Sequence, residues 1–337
     1  MIKHAVSLIA SALIVLALPA AQAATTLEVG YVPILPMAQL YVMEGEGWAQ
    51  AAGLTLHKTS FAEGPGLVQA LTEGKLDVAY FGIAPAMMAA SKGVDIKVVA
   101  TNIVEQVALI ARGDLRFYML ADPIRGIKRF TTKSKRKPRI ATFPPGSVPD
   151  AVFRHWLLEV AKLPLDSVEI VAMGADKIQK ALLAGEVDGA SILEPILTVV
   201  AAQDRTAKVV LDGAEMMPNQ PGAVLAVRGE LIRKNPQAVR KLVELHNRAT
   251  EFLIRYPDRA ARHAYAALSA GQPQLTLALV ERAMTSPYSK FVSDPYRIIA
   301  STKLMYDFQI KTGVMTKPVK LDELFYPRFF DQAVERH

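Results

Sequence analysis

Two stretches of this chain are near copies of each other, and no other feature restricts the fold as much. LVQALTEGKLDVA runs from Leu67 to Ala79, and IQKALLAGEVDGA runs from Ile178 to Ala190. Ala70/Ala181, Leu71/Leu182, Gly74/Gly185, Asp77/Asp188 and Ala79/Ala190 match at a single offset, and Pro85 and Pro195 follow one residue out of step. Each copy has the pattern of an amphipathic helix, a glycine stop, a short buried strand and a helix opened by proline. A repeat at the spacing of a small α/β domain implies two similar lobes, and two lobes imply a cleft between them. The 337 residues are enough for a core in each lobe.

The pattern around the copies supports this reading. Strands are expected at 26–32, 54–61, 78–81 and 96–100, alternating with helices at 37–52, 67–73 and 85–91. The rhythm restarts with strands at 139–142, 168–172, 189–193 and 208–211 around helices at 149–161, 176–184 and 195–202. A further strand is expected at 223–227. Beyond Asn235 the chain should be helical, with starts at Pro236, Pro257, Pro273 and Pro295, and should pack on the first lobe. The fold class is therefore α/β, each lobe a mostly parallel sheet flanked by helices.

The ends and the composition narrow the class further. Lys3, the apolar run from Ala5 to Leu18, Pro19 and the small-x-small Ala21-Gln22-Ala23 have the form of a cleaved export signal over 1–23. The run is shorter than a membrane span. No cysteine is present, which excludes a disulfide framework, a thiolate metal site and a lipid-attachment residue. The expected product is a periplasmic protein starting near Ala24. The formal net charge of +7 is concentrated between Arg125 and Arg139, where eight Lys and Arg residues stand with no acid among them. A solvated loop explains that run; attraction to an anionic membrane surface or a partner also fits, while an exported protein has no nucleic acid to bind.

In open α/β sheets, ligands bind beyond the carboxyl ends of the strands, where helices begin and unpaired N–H groups favour an anion. Six junctions of that kind occur: Pro33-Ile34-Leu35, Glu63-Gly64, Phe81-Gly82-Ile83-Ala84, Gly146-Ser147-Val148, Met173-Gly174-Ala175 and Leu193-Glu194. Asp150 and Glu194 are the acidic candidates, as partners of a ligand amine or as helix-start charges. No metal-ligand spacing joins His57, His155, His246 and His263, and no Gly-x-Ser-x-Gly elbow occurs. No catalytic residue, metal or cofactor is expected, so the chain reads as a binding protein and not an enzyme.

On Val29-Gly30-Tyr31, on QALTEGKLDVA from Gln69, on AASKGVDIKVVA from Ala89, on Gly146-Ser147, on Glu186-Val187-Asp188-Gly189-Ala190 with Glu194-Pro195, and on LDELFY from Leu321, the chain resembles a known family. It is similar to the periplasmic substrate-binding proteins of ABC importers, in the branch for nitrate, bicarbonate, taurine and alkanesulfonates, which includes binders of thiamine-pyrimidine precursors. The resemblance implies a type II two-lobed protein, with 24–112 and 223–337 in one lobe and 113–222 in the other. It implies crossover strands at 107–112 and 223–227, with hinges near Arg112-Gly113 and Pro221-Gly222. Family ligand contacts map to residues 33–35, to Gly82-Ile83-Ala84, to Gly146-Ser147 and to Glu194. The implied partners are a small ligand and an inner-membrane permease, or a sensory receptor in its place; the implied state is a monomer. Where sulfonate binders carry polar residues, this chain has Pro33-Ile34-Leu35, Phe81-Gly82-Ile83-Ala84 and Ser147-Val148-Pro149-Asp150. So apolar a pocket suits an organic ligand better than nitrate or bicarbonate, because a small bare ion is costly to desolvate. Fungal thiamine-pyrimidine synthases share the implied fold but need a Cys-rich motif that is absent here.

Overall fold

The duplication is visible in the order of the strands. The computed structural model describes residues 24–272 and 274–335; the leader expected over 1–23 and the helix start expected at Pro273 lie outside the described residues. The strands are β1 (Thr25–Tyr31), β2 (Leu54–Ser60), β3 (Val78–Gly82), β4 (Ile96–Thr101), β5 (Ile103–Val104), β6 (Ala108–Ala111), β7 (Arg139–Thr142), β8 (Glu169–Ala172), β9 (Gly189–Ile192), β10 (Lys208–Leu211), β11 (Ala223–Arg228) and β12 (Lys290–Phe291). One five-stranded sheet has the order β2-β1-β3-β11-β4 and the other the order β8-β7-β9-β6-β10. Position for position these are the same plan. In each, three parallel strands lead, and a strand arriving from the other half is inserted antiparallel before the last.

The repeated residues hold that plan together. Asp77 accepts the N–H of Glu28 at the start of the sheet (2.9 Å), and Asp188 accepts the N–H of Arg139 at the matching place (2.8 Å). The carbonyls of the same two aspartates accept the N–H groups of Arg228 and Arg112, one at the end of each inserted strand. Gly74 and Gly185 have φ of +75° and +74°, where a side chain is strained, and close the helix within each copy. The glycines and aspartates of the motif are therefore explained by strand and helix ends.

Several expectations need correction. β6 is a strand of the second sheet, so the chain first crosses between sheets at 102–107, ahead of the boundary expected at 112. The C-terminal region holds a strand: β12 pairs antiparallel with β5 beside the crossing. Its helices do not pack on the first lobe alone. Leu277–Met284 rests on Ile196–Gln203 of the second lobe, and Tyr296–Lys311 touches both Ile83–Ser91 and Val148–His155. The helix expected over 37–52 is broken by Gly47, at φ +71°, into Ala38–Gly45 and Trp48–Ala51. The basic stretch is mostly a helix, Pro123–Ser134, rather than a loop. Pro123 opens it, Asp122 caps it by accepting the N–H of Arg125 at 2.8 Å, and Gly126, Ile127 and Phe130 are buried. The dense charge obscured a helical apolar stripe of only three residues.

Candidate functional site

The starts of three helices from the two lobes meet at one cavity. Gly64–Thr72 begins after β2 with Pro65 in its first turn; Ile83–Ser91 begins after β3 with Gly82 as cap. In the second lobe, Val148–His155 begins after β7 with Ser147 as cap, whose Oγ accepts the N–H of Asp150 at 3.3 Å. Gly146 turns the chain into that helix at φ +87°. The cavity has a volume of about 30 Å³ and is lined by Val32, Ile34, Met37, Gly64, Gly82, Pro85 and Ala223 from the first sheet's side. Phe143, Ser147, Val148, Pro149 and Leu193 line it from the other side, and Gln106 lines it from the crossing segment. These are the carboxyl ends of parallel strands, as the general rule for α/β sheets requires.

The lobes touch here through bare backbone. A Cβ at Gly82 would lie 2.9 Å from Cγ2 of Val148, and one at Gly146 would lie 3.5 Å from Cε of Met88. A Cβ at Gly64 would lie 2.6 Å from Cγ of Pro85 in its own lobe. The walls are apolar apart from Ser147 and Gln106. Oε1 of Gln106 is buried without a protein hydrogen-bond partner, in a residue only 2 % exposed. An acceptor in that position is costly unless a donor meets it.

Of the residues singled out from sequence, Ile34, Gly64, Gly82, Ser147 and Val148 line this cavity. Pro33 and Glu63 line a wider groove of about 280 Å³ beside it, together with Gly174, Ala175, Asp176 and Lys177 of the second lobe. Leu35, Phe81, Ile83 and Ala84 are buried in the first lobe's core and line neither, and Gly146 faces Met88.

Asp150 is also away from the cavity lining. Its Oδ1 accepts from Nε of Arg154 at 2.8 Å, and burial pushes its carboxyl up despite that partner. Glu194 is buried, accepts from the N–H and hydroxyl of Thr198 at 3.0 and 2.9 Å, and bonds to Ser286 of the C-terminal region. Burial pushes this carboxyl up as well. Val32, Met37, Pro85, Gln106, Phe143 and Ala223 were not picked out as contacts, while Pro149 and Leu193 stand in stretches the sequence already points to. Gln106 had a usable signal: it is an uncharged polar residue in the apolar run that joins the sheets.

A family model described as the NMT1-like family matches residues 20–270. The chain belongs to the NMT1-like family. The taurine-binding periplasmic protein of Escherichia coli is 26 % identical over 217 residues, covering 63 % of this chain and 61 % of that one. The chain thus spans about three fifths of the length of the curated relatives it matches. Among solved structures, the periplasmic nitrate-binding protein of Synechocystis PCC 6803 superposes with a TM-score of 0.75 at 13 % identity, covering 93 % of this chain and 89 % of that one. A desulfurization enzyme superposes with a TM-score of 0.64 at 17 % identity, covering 93 % and 99 %. At such identities the superpositions establish the α/β fold of periplasmic binding proteins, and a fold shared by binders and an enzyme leaves the ligand to the site itself. Among the described residues no helix is long and apolar enough to cross a membrane.

Proposed function

We propose that this chain is the periplasmic solute-binding component of an ABC importer, closing its lobes over a small organic ligand and presenting it to a permease. The observation that carries the reading is the cavity shared by both lobes at the carboxyl ends of their strands. The taurine-binding relative supports the transport role. The contacts of Gly82 with Val148 and of Gly146 with Met88 belong to a closed arrangement. A cavity of about 30 Å³ has room for two or three water molecules, so anything larger enters only when the lobes part. The segments that would absorb that motion are 102–107 and 212–222, which join the sheets.

The chemistry of the walls defines the ligand class. Val32, Ile34, Met37, Pro85, Phe143, Val148 and Leu193 favour an apolar body. The helix starts at Gly64, Ile83 and Val148 favour an anionic end, and the amide oxygen of Gln106 asks for an N–H or O–H donor. An amino-substituted organic anion, such as a taurine-like aminosulfonate, satisfies all three. Nitrate satisfies only the second. Phe143 and Gln106 together also suit an aminopyrimidine edge, which keeps thiamine-pyrimidine precursors as the second reading. Ser147 is the one hydroxyl in the lining, no His or carboxylate joins it, and its Oγ already accepts the N–H of Asp150, which favours binding over turnover.

A thermal-shift panel of aminosulfonates, alkanesulfonates, aminopyrimidines, nitrate and bicarbonate tests the reading. A ligand at about 100 times its Kd adds roughly 2.7 kcal/mol, worth at least about 2 °C in a chain of this size. The expected pattern is a shift with an N–H-bearing organic ligand that Gln106→Leu removes. Shifts confined to nitrate or bicarbonate would sink the assignment.

A further inference from the structure

The helices Gly113–Ala121 and Pro123–Ser134 form a hairpin on the second lobe, and no residue of it lines the cavity or the groove beside it. Gly113–Ala121 packs on β6 and β10 through Leu115 and Met119. Pro123–Ser134 lies against it so closely that a Cβ on Gly126 would come within 2.8 Å of the Met119 backbone. Around the turn at Asp122 the hairpin turns apolar side chains outward: Phe117 is 67 % exposed, Leu120 53 % and Ile124 41 %. Large apolar side chains exposed on neighbouring turns beside charged residues are a candidate interaction surface.

The charge beside this cluster is unbalanced. Arg125, Arg136, Lys137 and Arg139 are paired with Asp122, Asp188, Asp166 and Glu169. Lys128, Arg129, Lys133 and Lys135 are exposed, and none has an acidic partner among the described residues. Ile124, Lys128 and Arg129 share the helix face opposite the buried Gly126, Ile127 and Phe130.

We propose that this hairpin docks the protein on an anionic lipid surface. Phe117, Leu120 and Ile124 enter the interfacial layer, while Lys128, Arg129, Lys133 and Lys135 face lipid phosphates. Apolar residues flanked by unpaired cations on a short amphipathic helix are what binds at a bilayer interface. The composition favours lipid over an acidic protein: three of the four free cations are lysines, which protein interfaces tend to exclude.

The test is co-sedimentation of the chain from Ala24 onward, which holds every described residue. Vesicles of phosphatidylcholine with about 30 mol% phosphatidylglycerol are compared with phosphatidylcholine alone. The expected result is pelleting with the anionic vesicles only, reversed by about 0.5 M NaCl. Phe117→Ser with Leu120→Ser should lower the bound fraction roughly tenfold. Lys128→Glu with Arg129→Glu and Lys133→Glu should do the same and abolish the salt dependence. All these side chains are exposed, so each variant should keep the wild-type melting temperature, which is measured alongside. Equal pelleting with both vesicle types, no pelleting with either, or well-folded variants that bind like wild type would overturn the proposal. Retention of the hairpin by an acidic membrane protein without vesicle binding would overturn it in favour of a protein partner.

Discussion

The two lobes share a skeleton and differ in what they bury. Asp77 and Asp188, Gly74 and Gly185, and the arginines ending the inserted strands occupy matching places. Even there the lobes diverge. The Arg228 guanidinium donates to the carbonyl of Leu71, whereas Arg112 donates to the carboxylate of Asp204 at 2.8 Å. The first lobe carries most of the C-terminal helices, and under them lies a buried neutral polar group of Gln39, Asn102, His246 and Thr250. The second lobe buries carboxyls instead, Asp150 and Glu194. What is repeated holds strands; what is not repeated lines the cavity between the lobes and sets the response to pH.

The sharpest way to break that comparison is acid. His246 donates from Nε2 to the carbonyl of Thr101 at 2.8 Å, and burial pushes its pKa down to about 4. Because the folded value lies below the unfolded one, the unfolded chain takes up the proton first. The contribution of a neutral His246 is therefore complete above about pH 6.5 and is lost as the pH falls towards 4, by about 3 kcal/mol in all. His246→Leu leaves the Thr101 carbonyl short of a donor and costs about 1–3 kcal/mol at neutral pH. It should nonetheless flatten the acid side of a denaturation series against pH. An unchanged acid slope would mean that the first lobe's core is not where acid acts.

The next effect separates the two glycines at the interlobe contact. Gly82 has φ −70°, which any residue adopts, so a Cβ there first meets Val148 across the cleft at 2.9 Å and Pro85 beside it at 3.3 Å. Gly146 has φ +87°, where any side chain strains its own turn. Gly82→Val should leave the melting temperature nearly unchanged, hold the lobes apart and weaken ligand binding roughly tenfold to a hundredfold. Gly146→Val should cost the second lobe about 1–3 kcal/mol before binding is considered. Scattering that shows a wider particle for Gly82→Val but not for wild type with ligand would support closure. Equal loss of stability in both variants would erase the distinction.

Both glycines were legible in the sequence as members of strand-to-helix junctions, but the reason for each was not. A junction places a residue at the carboxyl edge of a sheet, which is local information. Whether its side chain then faces the cavity or its own core depends on the helix phase and on the opposite lobe. Gly82 and Ile34 reach the cavity while their neighbours Phe81, Ile83 and Leu35 turn inward, and nothing in the local pattern separates them. The alternation of strands and helices was legible because the apolar period is strong. The strand β12 was not, being two residues long and paired with a distant partner. Gln106 lies on the crossing and not at a helix start, which is where the general rule for α/β sheets points.

The smallest effect probes the second lobe's buried acid and has the opposite sign from His246. Desolvation raises the pKa of Glu194 above its ordinary value, even though Ser286 and Thr198 donate to it. The folded chain therefore keeps that proton more readily than the unfolded one, and the group's contribution falls as pH rises above about 4.5. Glu194→Gln stays neutral throughout. At low pH the variant should match wild type, because a protonated glutamate offers nearly the same hydrogen bonds. As the pH rises to neutrality the difference should move in the variant's favour, while staying within about 1 kcal/mol. A variant that instead loses ground as pH rises would show that ionised Glu194 stabilises the fold through its link to Ser286. The second lobe would then be held to the C-terminal helices by charge, and the contrast between a lobe weakened by acid and a lobe weakened by base would be lost.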